Sequence, residues 1–143
     1  MTTFLLDVNV LIALIDAEHV QHRDAHDWFG RTGHRSFATC PITENGLLRI
    51  VGHARYPASP GTPAAVAPSL ATLRASPGHV FWSDDISLLD EQWVDASRLL
   101  HHSQLTDTYL LALAAAHGGQ LATLDRRLVT DAVRTGAAAL HLI

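Results

Sequence analysis

Four carboxylates spread along the 143-residue chain, Asp7, Glu44, Asp107 and Asp125, sit where they can act together. Asp7 and Asp125 each follow a short apolar run that reads as a strand, Thr3 to Leu6 and Gln120 to Leu124. Glu44 and Asp107 each fall in the first turn of a segment with helical apolar spacing. In an open parallel sheet the reactive side chains collect outside the carboxyl ends of the strands, where helices begin, so all four can reach one rim. Crowded anions that lose solvation repel one another and stay ionised together when a cation joins them. An oxygen-only donor set selects a hard ion, Mg²⁺ or Mn²⁺, over zinc. Such an ion activates water, polarises a phosphoryl oxygen and aligns an in-line displacement, the chemistry of phosphodiester hydrolysis. Taken singly, Glu44, Asp107 and Asp125 also suit plainer roles at helix starts and turns. Asp7 does not, because a charge inside the most apolar stretch of the chain, Phe4 to Ile15, is costly unless compensated.

The elements that must position these acids alternate between strand and helix. Val8 to Asp16 carries apolar residues at Val8, Leu11, Ile12 and Ile15, a helical spacing, so Asp7 lies at a strand-to-helix junction. Val20 to Gly33 predicts a half-exposed helix ending at glycine, and Ser36 to Thr39 a second strand. Pro41-Ile42-Thr43-Glu44 opens a helix expected to run to about Arg55. The proline-rich stretch Tyr56 to Pro68 predicts a loop leading into a helix that ends near Ser76. His79 to Trp82 reads as a strand and Ser83-Asp84-Asp85 as a turn with a cap. Asp90 to Leu100 has helical spacing through Trp93, Val94, Ala96 and Leu99. Leu105 to His117, stopped by Gly118-Gly119, predicts a further helix, and Ala139 to Ile143 a closing strand. This alternation predicts an α/β sandwich with a mainly parallel sheet in a single domain spanning residues 1–143.

Composition narrows the function classes. The ten basic residues are all arginine. Without lysine, haloacid-dehalogenase-like phosphatases and phosphoacceptor receiver domains are disfavoured, since both as a rule neutralise phosphoryl charge with one. A dinucleotide site would need glycines after the first strand, where Asp7-Val8-Asn9-Val10 has none. Ser-His-Asp chemistry lacks a Gly-x-Ser-x-Gly elbow. His19, His22 and His26 have a helical spacing, but no fourth ligand completes a zinc site. Phe4 to Ile15 lacks the flanks of a signal peptide and is too short to span a bilayer. With a lone Cys40, a reducing cytoplasm is the expected compartment, with no membrane association. The 48% apolar content leaves room for an exposed patch that meets a partner.

With these residues in view, the chain resembles the PIN-domain ribonucleases, and within them the VapC-type toxins of toxin–antitoxin systems. Phe4-Leu5-Leu6-Asp7-Val8-Asn9-Val10-Leu11 is similar to the family's opening strand and first acidic motif, and Thr43-Glu44-Asn45-Gly46-Leu47-Leu48-Arg49 to its second. Thr106-Asp107 is similar to the third and Ala122-Thr123-Leu124-Asp125-Arg126-Arg127 to the fourth. Each motif is short, but their order and spacing are specific and cover nearly the whole chain. The resemblance implies a PIN-like three-layer α/β/α sandwich and a Mg²⁺-dependent endoribonuclease, with Mn²⁺ as a substitute. It also implies RNA as substrate, inhibition by a VapB-like antitoxin, and a homodimer. By the same resemblance Asp7 and Asp107 are the direct metal ligands, and Glu44 and Asp125 complete the acidic pocket by binding metal or activating water. Asn9 and Thr123 would orient carboxylates by hydrogen bonds, and Arg126 would contact a substrate phosphate. The alternative is a PIN-like module that binds RNA or protein without cleaving it.

Overall fold

Period-two alternation in very short strands divides the core between two faces of one sheet. In the computed structural model, which describes residues 1–143, strand β1 (Phe4–Leu6) turns Phe4 and Leu6 to one apolar layer and Leu5 to the other. The same split recurs in β2 (Phe37–Thr39), where Phe37 and Ala38 face opposite layers, and in β4 (Gln120–Thr123), where Ala122 and Leu121 do. With β3 (His79–Phe81) and β5 (Leu140–Leu142) these form a five-stranded sheet of order β3-β2-β1-β4-β5. Every pairing is parallel, with Leu6 opposite Ala122 and Phe4 opposite Phe37.

Helices cover both faces, as all-parallel sheets require. The helices α1 (Val8–Ile15), α2 (His22–Arg31), α3 (Pro41–Val51) and α4 (Pro63–Arg74) pack with Phe4, Leu6 and Phe37. On the opposite face α5 (Leu105–Ala116) buries Leu110, Leu111 and Leu113 against Leu5, Ala38 and Leu121. A single turn, α6 (Gly136–Ala139), leads into β5. The result is the expected three-layer α/β/α sandwich with a parallel sheet. No helix is long and apolar enough to cross a membrane.

The helix predicted over Asp90 to Leu100 is absent. That segment holds turns, a one-turn 3-10 helix at Ala96–Arg98 and an isolated antiparallel bridge from Val94 to Val133. The Asp95 N–H donates to Ala132 O at 2.8 Å and the Arg134 N–H to Trp93 O at 3.0 Å. These long-range pairings capture backbone groups that a helix would have used internally.

The proline-rich loop also ends earlier than predicted, because α4 begins at Pro63 and contains Pro68. Thr62 caps that helix through Ala65 N and Pro63 occupies its first position, a start signal strong enough to carry an interior proline. Burial of Val66 and Leu70 on one face offsets the lost hydrogen bond. Other differences are the short helix α6, which the sequence does not predict, the irregular backbone at Ser83-Asp84-Asp85 in place of the predicted turn and cap, and end positions: α2 stops at Arg31, α3 at Val51 and β3 at Phe81.

Candidate active site

The order β3-β2-β1-β4-β5 means that the chain builds outward from β1 to β3 and then returns to the other side of β1. The crevice at such a reversal lies outside the carboxyl ends of the central strands, here β1 and β4. Asp7 is the first residue beyond β1, tied to the neighbouring strand by its N–H on Ala122 O at 3.0 Å. It caps α1, with Oδ1 accepting the Val8 N–H at 2.8 Å. Its second oxygen accepts the Thr123 hydroxyl at 2.8 Å.

Asn9 and Thr123 stitch this junction together. The Asn9 side-chain oxygen accepts the Leu124 N–H at 3.0 Å, and its Nδ2 donates to Thr123 Oγ1 at 3.0 Å. The Thr123 hydroxyl oxygen also accepts the Asp125 N–H at 3.1 Å. One hydroxyl thus links Asp7 to the backbone that carries Asp125, which the Arg127 N–H orients by donating to Oδ1 at 2.9 Å.

Asp7 is only 6% exposed. Burial pushes its carboxyl above the ordinary range, the hydrogen bonds from Thr123 and Val8 pull it back, and the negative charge of Asp125 adds to the rise. Asp107, in the first turn of α5, is pushed up to about 6 by burial, then by the charges of Asp7 and Asp125. None of the three forms an ion pair. The fold therefore brings Asp7, Asp107 and Asp125 within electrostatic reach of one another and supplies no cationic side chain to pair with them.

That uncompensated charge is what a hard divalent ion relieves. No three histidine, cysteine or acidic side chains close around a single point, as a structural zinc site would require. Mg²⁺ is held through one or two carboxylates and completes its shell with water. The donor set at Asp7 and Asp107 fits an ion of that kind.

Glu44 stands apart. It lies in the first turn of α3, as predicted, but its Oε2 accepts the Thr39 hydroxyl at 2.6 Å and pairs with Arg74 from the last turn of α4. Thr39 in turn lies 2.8 Å from His79 Nε2. Glu44 is not among the charges that raise Asp7 or Asp107. Nothing local in the sequence distinguishes Thr39, Arg74 and His79 from any strand-end threonine, helix-end arginine or strand-start histidine.

Arg126 is exposed in the turn after Asp125, and its side chain makes no hydrogen bond or ion pair within the chain. Asp85 contacts His117 Nε2 at 3.1 Å, and the His117 ring stacks on Trp82 with centroids 4.3 Å apart. His22 Nδ1 and His26 Nε2 lie 2.6 and 2.8 Å from the Ala13 and Leu14 carbonyl oxygens at the end of α1.

Comparison with known proteins matches residues 4–132 to the PIN domain family model. The chain is 45% identical over 138 residues to Ribonuclease VapC44 of Mycobacterium tuberculosis, covering 96% of each chain. It is 42% identical to Ribonuclease VapC39 of the same organism, covering 91% of this chain and 94% of the relative. To Ribonuclease VapC29, also from that organism, it is 42% identical over 86% of each chain.

Proposed function

The chain belongs to the PIN domain family, and on that premise we propose that it is a metal-dependent endoribonuclease, the toxin of a VapBC-type toxin–antitoxin pair. The names of its relatives support ribonuclease activity. The observation that supports the metal-dependent mechanism is a group of three neighbouring carboxylates, Asp7, Asp107 and Asp125, none of which has an ion-pair partner in the chain. Residues 1–143 act as one PIN-like domain, with RNA as substrate, a VapB-like antitoxin as inhibitor and a homodimer as the working form.

In this reading Asp7 and Asp107 hold Mg²⁺, or Mn²⁺ in its place. An ion held there would supply Lewis-acid charge to the scissile phosphate and to the attacking water. Asp7 presents an orientation set by Val8 and Thr123, so little reorganisation is needed when a ligand arrives. Asp125, held by the N–H of Arg127, completes the acidic rim. Glu44 has one oxygen occupied by Thr39 and Arg74 and the other without a hydrogen-bond partner. That free oxygen is suited to orient a water or take its proton. Asn9 and Thr123 keep β1 and β4 in register at the site, and Arg126 meets a phosphate of the RNA strand.

The test is cleavage of structured RNA by the purified protein with and without Mg²⁺ or Mn²⁺, beside Asp7→Asn. Cation-dependent cleavage that the variant loses supports the reading. Wild-type cleavage rates in Asp7→Asn would overturn the metal mechanism, and RNA binding with no cleavage under any divalent ion would replace the reading with a binding module.

A further inference from the structure

Arg74 sits at the carboxyl end of the sheet on the side away from Arg126, and its guanidinium is held from two directions. One nitrogen, Nη1, pairs with Glu44 Oε2. The guanidinium carbon lies 4.9 Å from the centroid of Phe81, the last residue of the edge strand β3. A flat cation fixed between a carboxylate and an aromatic face has given up much of its rotamer freedom before any ligand arrives. Its remaining N–H groups have no acceptor within the chain, and the side chain keeps 41% of its exposure.

An arginine whose only task was to neutralise Glu44 would not need an open edge. The planar fork matches the geometry of phosphate oxygens, and the sheet order places it usefully. Arg74 meets Glu44, which follows β2, and Phe81, which ends β3, whereas Arg126 follows β4 on the far side of β1 and Asp7. From β3 to β4 is three strand spacings, about 14 Å at ~4.8 Å each. The acidic rim therefore lies between two arginines along the carboxyl edge of the sheet.

We propose that Arg74 is a substrate-contacting residue that grips a backbone phosphate of single-stranded RNA on the β3 side of the acidic rim, its fork set in advance by Glu44 and Phe81. The assignment rests on the ribonuclease reading and extends it by giving the RNA strand a direction, crossing the strand ends from β4 toward β3. Phe81, 43% exposed on an edge strand, serves as the shelf that keeps the guanidinium flat.

The test is metal-free binding of a short fluorescein-labelled single-stranded RNA, in excess EDTA so that no strand is cut, followed by anisotropy across a salt series. Arg74→Ala is expected to weaken binding about tenfold and to lower the slope of log affinity against log salt by about one. Arg74→Lys keeps the charge, so it should retain the slope while losing part of the affinity, and Phe81→Ala should lose affinity in the same sense but less. Arg31→Ala, an exposed arginine on α2, should match wild type. If Arg74→Ala loses its cooperative thermal melt, Arg74→Gln carries the same measurement. Wild-type protein that binds and cuts RNA while Arg74→Ala matches it in affinity and slope overturns this assignment alone, even if cleavage slows, because the arginine then acts only through Glu44. Wild-type protein that neither binds nor cuts RNA overturns the ribonuclease reading with it.

Discussion

The hydroxyl of Thr123 donates to Oδ2 of Asp7 across 116 positions of sequence, at 2.8 Å. This bond joins the ends of β1 and β4 where the sheet reverses its order of construction, and it partly offsets the burial of the Asp7 carboxylate. Replacing Thr123 by valine keeps the shape and removes the donor. The variant should lose about 1–3 kcal/mol of stability near neutral pH, as a buried charge does when a hydrogen bond is withdrawn. Its Asp7 carboxyl should titrate higher than in wild type. Urea unfolding and carboxyl NMR titration check both, and an unchanged Asp7 titration would show that the hydroxyl does not stabilise the charge.

Asp107 and Glu44 should separate under calorimetry. With Asp107→Asn, Mn²⁺ binding and RNA cleavage should both fall by more than about a hundredfold, beyond the range typical of a group that only supports a ligand. With Glu44→Gln, cleavage should fall while Mn²⁺ affinity stays within a few-fold, because Glu44 is paired with Arg74 and does not perturb the other acids. Equal loss of metal affinity in both variants would place Glu44 among the ligands.

The raised Asp107 carboxyl has a consequence for stability. Its pKa is about 6 in the folded protein against 3.8 for an unperturbed aspartate, so between those values the folded state holds more protons than the unfolded one. Its contribution therefore falls as pH rises from about 4 to about 6, and the full penalty stands above that. His79 and His141, whose pKa values burial lowers, act in the opposite sense below about pH 6.5. The readout is accordingly a difference: the gain in Tm of metal-free Asp107→Asn over wild type should shrink from about pH 7 to about pH 5. A gain independent of pH would show that Asp107 titrates normally.

Gly46 lets α3 approach α1. A Cβ built there would stand 2.7 Å from a methyl carbon of Val8, beside Asp7. Gly46→Ala brings a helix-propensity gain of about 1 kcal/mol against overpacking of about 1–3 kcal/mol, so it should be neutral to destabilising alone. In a Val8→Ala background the clash is gone, and the same change should stabilise by about 0.5–1 kcal/mol. A double-mutant cycle with no coupling would show that the two helices do not meet as tightly as the Val8 contact indicates.

What could be read from the chain came from interactions a few residues long. Phe4-Leu5-Leu6 followed by Asp7 marks a buried strand that ends in a helix cap, Pro41 and Glu44 mark a helix start, and Gly118-Gly119 marks a helix stop. The first-turn position of Asp107 in α5 is legible for the same reason. Other features were settled by groups far apart in the chain. The Asp90 to Leu100 segment has a helical pattern, yet Val94 bridges Val133 because backbone partners from the C-terminal region were close enough to compete. Glu44 looked equivalent to the other acids until α4 brought Arg74 against it. Side-chain spacing encodes which face of an element is apolar, but ion pairing and carboxylate coupling depend on distances that exist only once the strands have taken their order, and no local rule specifies that order.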